Sequence, residues 1–206
     1  MKALLLPFFL CMIVFAQVPR FQFTHKGSVL HIKFSPSGSK LLSYSSGSQD
    51  LALWEVSTGR LVWIRPISFI QKADEYYTLN AFSWSPDEKL VSTGSANGTV
   101  QLWDAGNGKI IWRADVANDG ISAIAFSPDA TTIAATGYDS TGPAATLINV
   151  VDGSIVKRLV GNKCRAIGIT FDPSGKELSV GNLDGNIVRW NLAEAKPINT
   201  ADCDRS

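Results

Sequence analysis

An all-β fold assembled from four copies of one antiparallel unit is what this chain predicts, and three observations carry the prediction. An aromatic–polar–proline phrase recurs as Phe34-Ser35-Pro36, Trp84-Ser85-Pro86, Phe126-Ser127-Pro128 and Phe171-Asp172-Pro173. After 20, 19, 22 and 19 residues, measured from each aromatic, an apolar segment ends in Trp54-Glu55, Trp103-Asp104, Ile148-Asn149 and Trp190-Asn191. The aromatic positions are 50, 42 and 45 residues apart, a period that marks a repeat architecture. Within each unit, apolar and β-branched runs alternate with turn residues at short intervals, as antiparallel strands require. Short, evenly spaced strands with a periodic Trp point to a β-propeller of four blades, each of four antiparallel strands, either a small ring or an open partial propeller.

In chain order, the first segment stands apart. Lys2 precedes an apolar run from Ala3 to Ala16, ending on a small residue, which is the pattern of a secretory signal peptide over residues 1–16. The run is shorter than the roughly 20 apolar residues of a membrane-spanning helix and contains Pro7; an uncleaved anchor is its main competitor. Leu10 before Cys11 is too large for a lipoprotein site. The expected location is therefore secreted or periplasmic, with one propeller domain over residues 17–206. Hydrophobic residues at 45% and charged residues at 18% suit a globular domain and not a disordered one.

The units are expected over about residues 25–63, 75–113, 117–159 and 162–201, in keeping with the repeat period. The second shows the logic. Ala81 to Ser85 reads as a strand, and Pro86 to Lys89 as a turn whose backbone angle proline presets. Leu90 to Gly94 is the next strand, and Asn97-Gly98 a two-residue hairpin turn. Thr99 to Asp104 forms a third strand and Lys109 to Arg113 a fourth. Gly59, Gly108 and Gly153 open the fourth strand in three units.

These residues resemble the WD-repeat family. Trp103-Asp104, the approach from Asn97 to Leu102, the Ser85-Pro86-Asp87 turn and the stretch from Asp184 to Trp190 all match its pattern. The resemblance runs from residue 20 to about residue 201, and a shared fold names no single activity. It implies a buried hydrogen-bond network of a His, a tight-turn Asp, a strand hydroxyl and the Trp. His25 and Trp54 fit the first unit, but Ser48 stands at the turn position. Asp184 and Trp190 fit the fourth, where Asn162 replaces the His, and the third has Leu147-Ile148-Asn149 in place of the Trp. No unit is expected to carry the full set, and His25, Trp54, Asn97, Trp103, Asp104, Asp184 and Trp190 are assigned to architecture.

Closure is open to two readings, because two strands compete for one slot. Phe21-Gln22-Phe23 looks like a fourth strand placed before the first unit, which would permit a ring. The tail from Ala195 to Ala201 also aligns with a fourth strand, with Pro197 suited only to an edge. The tail completing its own blade is the favoured reading, making the chain a truncated or partial propeller whose unpaired edges invite another chain, a homodimer included.

Removing Lys2 with the leader leaves 18 basic side chains against 18 acidic, so no net field draws nucleic acid or an anionic membrane. Cys164 and Cys203 lack framework spacing and read as two free thiols. The first strands contain no Asp or Glu, so a carboxylate ring for a hard cation is missing. No zinc spacing, phosphate loop or serine elbow is present. No catalytic residue, metal or cofactor is expected. His31 and Lys33 are the strongly polar residues of the channel strands and read as incidental. The expectation is a non-catalytic interaction scaffold for a protein partner. A propeller hydrolase or oxidoreductase with an unrecognised channel site, or a truncated piece of a larger scaffold, are the alternatives.

Repeat length shows where a partner site would sit. From Trp54 to Trp84 is 30 residues, against 23 from Trp103 to Phe126 and from Ile148 to Phe171. The excess lies around Ile67 to Leu79, after a fourth strand. The longer third unit has its extra residues near Asp139 to Ala145, after a second strand. Both places belong to one face, and insertions gathered on one face of a repeat protein mark its binding face. Phe69, Lys72, Tyr76, Tyr77 and Asp139 are the candidate partner-binding residues, the aromatics offering large contact area at low entropic cost.

Overall fold

A computed structural model describes residues 25–67, 79–117, 120–139, 142–160, 165–183 and 185–199. The regular structure there is strand alone. The first blade contains β1 (Val29–Phe34), β2 (Lys40–Ser45), β3 (Asp50–Glu55) and β4 (Leu61–Pro66). The second contains β5 (Leu79–Trp84), β6 (Leu90–Ser95), β7 (Thr99–Asp104) and β8 (Ile110–Asp115). The third contains β9 (Ile121–Phe126), β10 (Thr132–Asp139), β11 (Gly142–Asn149) and β12 (Ile155–Val160). The fourth contains β13 (Ala166–Phe171), β14 (Glu177–Asn182), β15 (Ile187–Asn191) and β16 (Lys196–Pro197). Each blade is a meander in which sequential strands pair antiparallel.

The recurrent phrase builds the same turn four times. Its polar residue bonds the strand that follows through both backbone and side chain. The N–H groups of Ser35, Ser85, Ser127 and Asp172 donate to the carbonyls of Lys40, Leu90, Thr132 and Glu177 at 2.8–3.0 Å. In return the N–H groups of those four residues donate to Ser35 Oγ, Ser85 Oγ, Ser127 Oγ and Asp172 Oδ1 at 3.2, 2.9, 3.0 and 2.7 Å. Two residues beyond each proline the backbone turns left-handed, at Gly38 (φ +74°), Glu88 (+60°), Ala130 (+58°) and Gly175 (+72°). Glycine adopts that conformation without steric cost; Glu88 and Ala130 hold it because the paired strands on either side leave no alternative.

Alternation along the strands makes each blade two-faced, so the core is three separate seams between neighbours. Leu42, Tyr44, Leu51, Leu53 and Trp63 meet Phe82, Trp84, Val91 and Trp103. Val100 and Leu102 meet Ile124, Phe126, Ile133 and Ile148. Ala134, Ala145, Leu147 and Leu159 meet Leu178, Val180, Val188 and Trp190.

The fourth blade is completed by the tail itself, which makes an open four-blade propeller. Its last strand is shorter than the expected Ala195–Ala201, because Pro197 has no N–H for the ladder. The Asn199 side chain takes over, accepting from Arg189 N at 2.7 Å and donating to Ile187 O at 2.8 Å. The arc leaves the first blade's inner strand uncovered: Ile32 is 66% and Phe34 56% exposed, whereas the matching Phe82 and Trp84 are 7% and 5% exposed. At the other end, Arg189 stands where Leu53, Leu102 and Leu147 are buried in the preceding blades, and it pairs with Glu177 across the outer face. Phe21-Gln22-Phe23, the leader and both Cys164 and Cys203 lie outside the described residues.

The extra residues of the third unit do not form an irregular loop. They lengthen the hairpin: pairing between β10 and β11 continues through Tyr138↔Pro143 to Asp139↔Gly142.

Candidate functional site

One buried polar network in the first blade corrects the expectation that no unit is complete. His25 Nδ1 bonds Asp50 Oδ1, His25 Nε2 meets Ser43 Oγ at 2.7 Å, and Trp54 Nε1 donates to the same Ser43 Oγ at 2.7 Å. The carboxylate comes from Asp50, not from the turn position held by Ser48. Cross-strand register brings Asp50, the first residue of β3, level with Ser45, and so within reach of the imidazole. Ser48 keeps a buried hydroxyl without a partner. With a neutral imidazole the network is satisfied when Nδ1–H donates to Asp50, the Ser43 hydroxyl donates to Nε2, and the hydroxyl oxygen accepts from Trp54.

The Ser43–His25–Asp50 connectivity has the order of a hydrolytic triad, but Ser43 is buried and its oxygen already accepts a hydrogen bond from the Trp54 indole N–H. The arrangement ties the segment before β1 to β2 and β3; it offers no exposed nucleophile. Among the described residues no group of three or more His, Cys, Asp or Glu converges as metal ligands.

The later blades simplify this network in a chemically consistent way. In the second, Trp103 Nε1 donates to Thr93 Oγ1 at 3.0 Å, and Asn97 turns its side chain back onto Ser95 and Thr99 within its own hairpin. Asp104 caps the next turn, accepting from Gly106 N at 2.7 Å and Asn107 N at 3.2 Å. In the third, Ile148 replaces the Trp and Ala135 the hydroxyl, so donor and acceptor vanish together, a nearly neutral exchange. In the fourth the Trp survives without its acceptor. Val180 occupies the hydroxyl position, and Trp190 Nε1 is buried without a partner. Asp184 lies outside the described residues.

A second repeated device, which the sequence reading missed, ties blade to blade. Trp63 Nε1 donates to Ala105 O at 2.9 Å and Trp112 Nε1 to Val150 O at 2.8 Å. In the third blade Lys157 Nζ takes over, reaching Leu192 O at 3.2 Å. The signal was available: Trp63 and Trp112 each fall nine residues after Trp54 and Trp103.

Of the candidate partner-binding residues, Phe69, Lys72, Tyr76 and Tyr77 lie outside the described residues. Asp139 ends β10 at the tip of the lengthened hairpin. β10 is the second strand of its blade and β4 the fourth of its own, and in an antiparallel meander second and fourth strands run the same way.

Four meandering blades packed face to face, the first two pinned internally by Trp–hydroxyl pairs, define a propeller-type repeat protein. The WD domain, G-beta repeat matches residues 17–55, and the Anaphase-promoting complex subunit 4 WD40 domain matches residues 55–129. No curated protein sequence matches the chain. The two matches meet at residue 55, and both support a WD-repeat family for the chain. WD40 repeats suggest a protein-interaction scaffold.

Proposed function

We propose that the protein is an exported, non-catalytic scaffold that binds a protein partner through the face carrying the β4–β5 connection and the β10–β11 hairpin. The carrying observation is the hairpin itself: β10 and β11 run eight residues each where the equivalent strands of the other blades run five or six. A paired ladder extended beyond its neighbours raises a rigid ridge at low entropic cost. The long β4–β5 connection carries Phe69, Tyr76 and Tyr77, aromatic anchors of the kind that dominate interfaces, together with the cationic Lys72. Export rests on the charged, apolar and small-residue order of residues 1–16.

Two measurements test this reading. N-terminal sequencing of secreted product is expected to give a mature start at Gln17, and retention inside the cell with an intact Met1 overturns export. Replacing Tyr76 and Tyr77 together with Ala is expected to abolish partner cross-linking; unaltered cross-linking overturns the assigned face. The match to a WD40 domain whose printed name makes it a subunit of a larger complex favours the second reading, a piece of a larger intracellular scaffold. Met1 retention would support it.

A further inference from the structure

The inner strands hold two basic side chains that the fold leaves without partners. His31 and Lys33 lie two apart on β1 and therefore on one face, turned toward the second blade. His31 stacks on Tyr44, with ring centroids 6.2 Å apart, and meets the edge of Phe82 at 6.1 Å. Among the described residues neither side chain makes a hydrogen bond or an ion pair. Lys33 is exposed along the cleft, and partial desolvation lowers its pKa from the ordinary value.

A cleft of about 260 Å³ opens beside these two groups, walled by Ala81 and Phe82 of β5 and by Ser122 and Ile124 of β9. It exists because β5 and β9 pack closely, as do β9 and β13, whereas β1 makes no comparable approach to β5. The Ser122 hydroxyl is engaged with Ala166 O at 2.6 Å. None of β1, β5, β9 or β13 contains Asp or Glu. The cleft thus has two nitrogen donors from β1, the Ser122 hydroxyl in its wall and no internal counter-ion.

We propose that this cleft is a carboxylate-binding site, with Lys33 Nζ and the His31 imidazole as the donors that hold the anion. Its volume falls below the roughly 300–1,000 Å³ of drug-sized sites and suits one acidic side chain of a peptide or one small dicarboxylic acid. Strands alone form it, so it stands or falls apart from the partner face proposed above.

Calorimetric titration and imidazole NMR with two probes, succinate and a blocked tripeptide Ala-Glu-Ala, test the site on the full chain. Either probe is expected to bind and to shift the His31 ring resonances. The Lys33→Met variant, which keeps the aliphatic stem, is expected to weaken binding by roughly tenfold or more. Lys33→Arg retains it, and replacing Tyr76 and Tyr77 leaves it unchanged. Tighter binding of the peptide assigns the site to a protein partner, and tighter binding of succinate to a free acid. Failure of both probes to bind, equal affinity in Lys33→Met, or equal binding of the Ala-Gln-Ala tripeptide overturns the proposal.

Discussion

Trp63 of the first blade donates its indole N–H to the carbonyl of Ala105 in the second, and the same ring closes on Gly108. The relationship recurs one blade on, where Trp112 reaches Val150 O and covers Gly153. A Cβ on Gly108 would sit 2.7 Å from Trp63 Cδ2, and one on Gly153 2.9 Å from Trp112 Cδ2. Both glycines are left-handed, at φ +66° and +74°. Where Lys157 replaces the tryptophan, the matching residue is Ala195, also left-handed at φ +55°. Glycine is demanded here by the ring above it as much as by the backbone.

Gly108→Ala is therefore expected to destabilise the protein by about 2–4 kcal/mol, combining left-handed strain with overpacking. Ala195→Gly, at the equivalent place without a ring, is expected to be neutral or to stabilise by up to about 1 kcal/mol. Chemical denaturation of the two variants checks the contrast, and a similar response from both would remove the ring from the explanation.

Ser43→Ala strips one oxygen from two buried partners, His25 and Trp54. Its expected cost is about 2–4 kcal/mol, from two orphaned polar groups. A double-mutant cycle with Trp54→Phe, read by denaturant midpoints, is expected to show coupling of about 1 kcal/mol. Strict additivity would mean that the two residues do not share the bond.

Trp190 is the opposite case, a buried donor lacking its acceptor. Val180→Thr keeps the shape and places a hydroxyl where Thr93 stands in the second blade. The expected gain is about 0.5–1.5 kcal/mol, checked by the thermal midpoint. A loss would show that burying the new hydroxyl outweighs the bond it makes.

Asp172 is the one carboxylate in the four turn phrases. Its hydrogen bonds to the Ser174 hydroxyl, and then to the backbone of Glu177, lower its pKa from 3.8 to about 2. A depressed folded-state pKa contributes stability above the unfolded value and loses it as pH falls through the folded one. The window is therefore pH 4 to 2. Asp172→Asn removes that titration, so its midpoint is expected to lie below that of the native chain at pH 6 and to converge with it by pH 2. A gap that stays constant across the series would exclude the linkage.

The turns and strand ranges were legible because their causes are local: proline, left-handed positions and period-two alternation sit within a few residues of one another. β7 runs over Thr99–Asp104, the range that the sequence predicts for the third strand of the second unit. The carboxylate of the first-blade network was not legible. Asp50 lies two residues past the motif position, and only hairpin register carries it to His25. The open arc was foreshadowed by two strands competing for one slot, but its chemical signature, Arg189 at a position otherwise occupied by Leu, needed the strand alignment to be seen. Tyr76 and Tyr77 stay assigned by length and composition alone.

Because the apolar contacts fall into three seams and share no common centre, cohesion in this molecule is strictly local. The middle blades are held from both sides, and the first and fourth from one. Such an array behaves as a one-dimensional chain of coupled units, whose stability is the sum of each unit and its nearest neighbours. Loss of order then begins at the ends and travels inward, so a ligand gripping the Ile32 and Phe34 flank would lend the first blade the second neighbour it lacks.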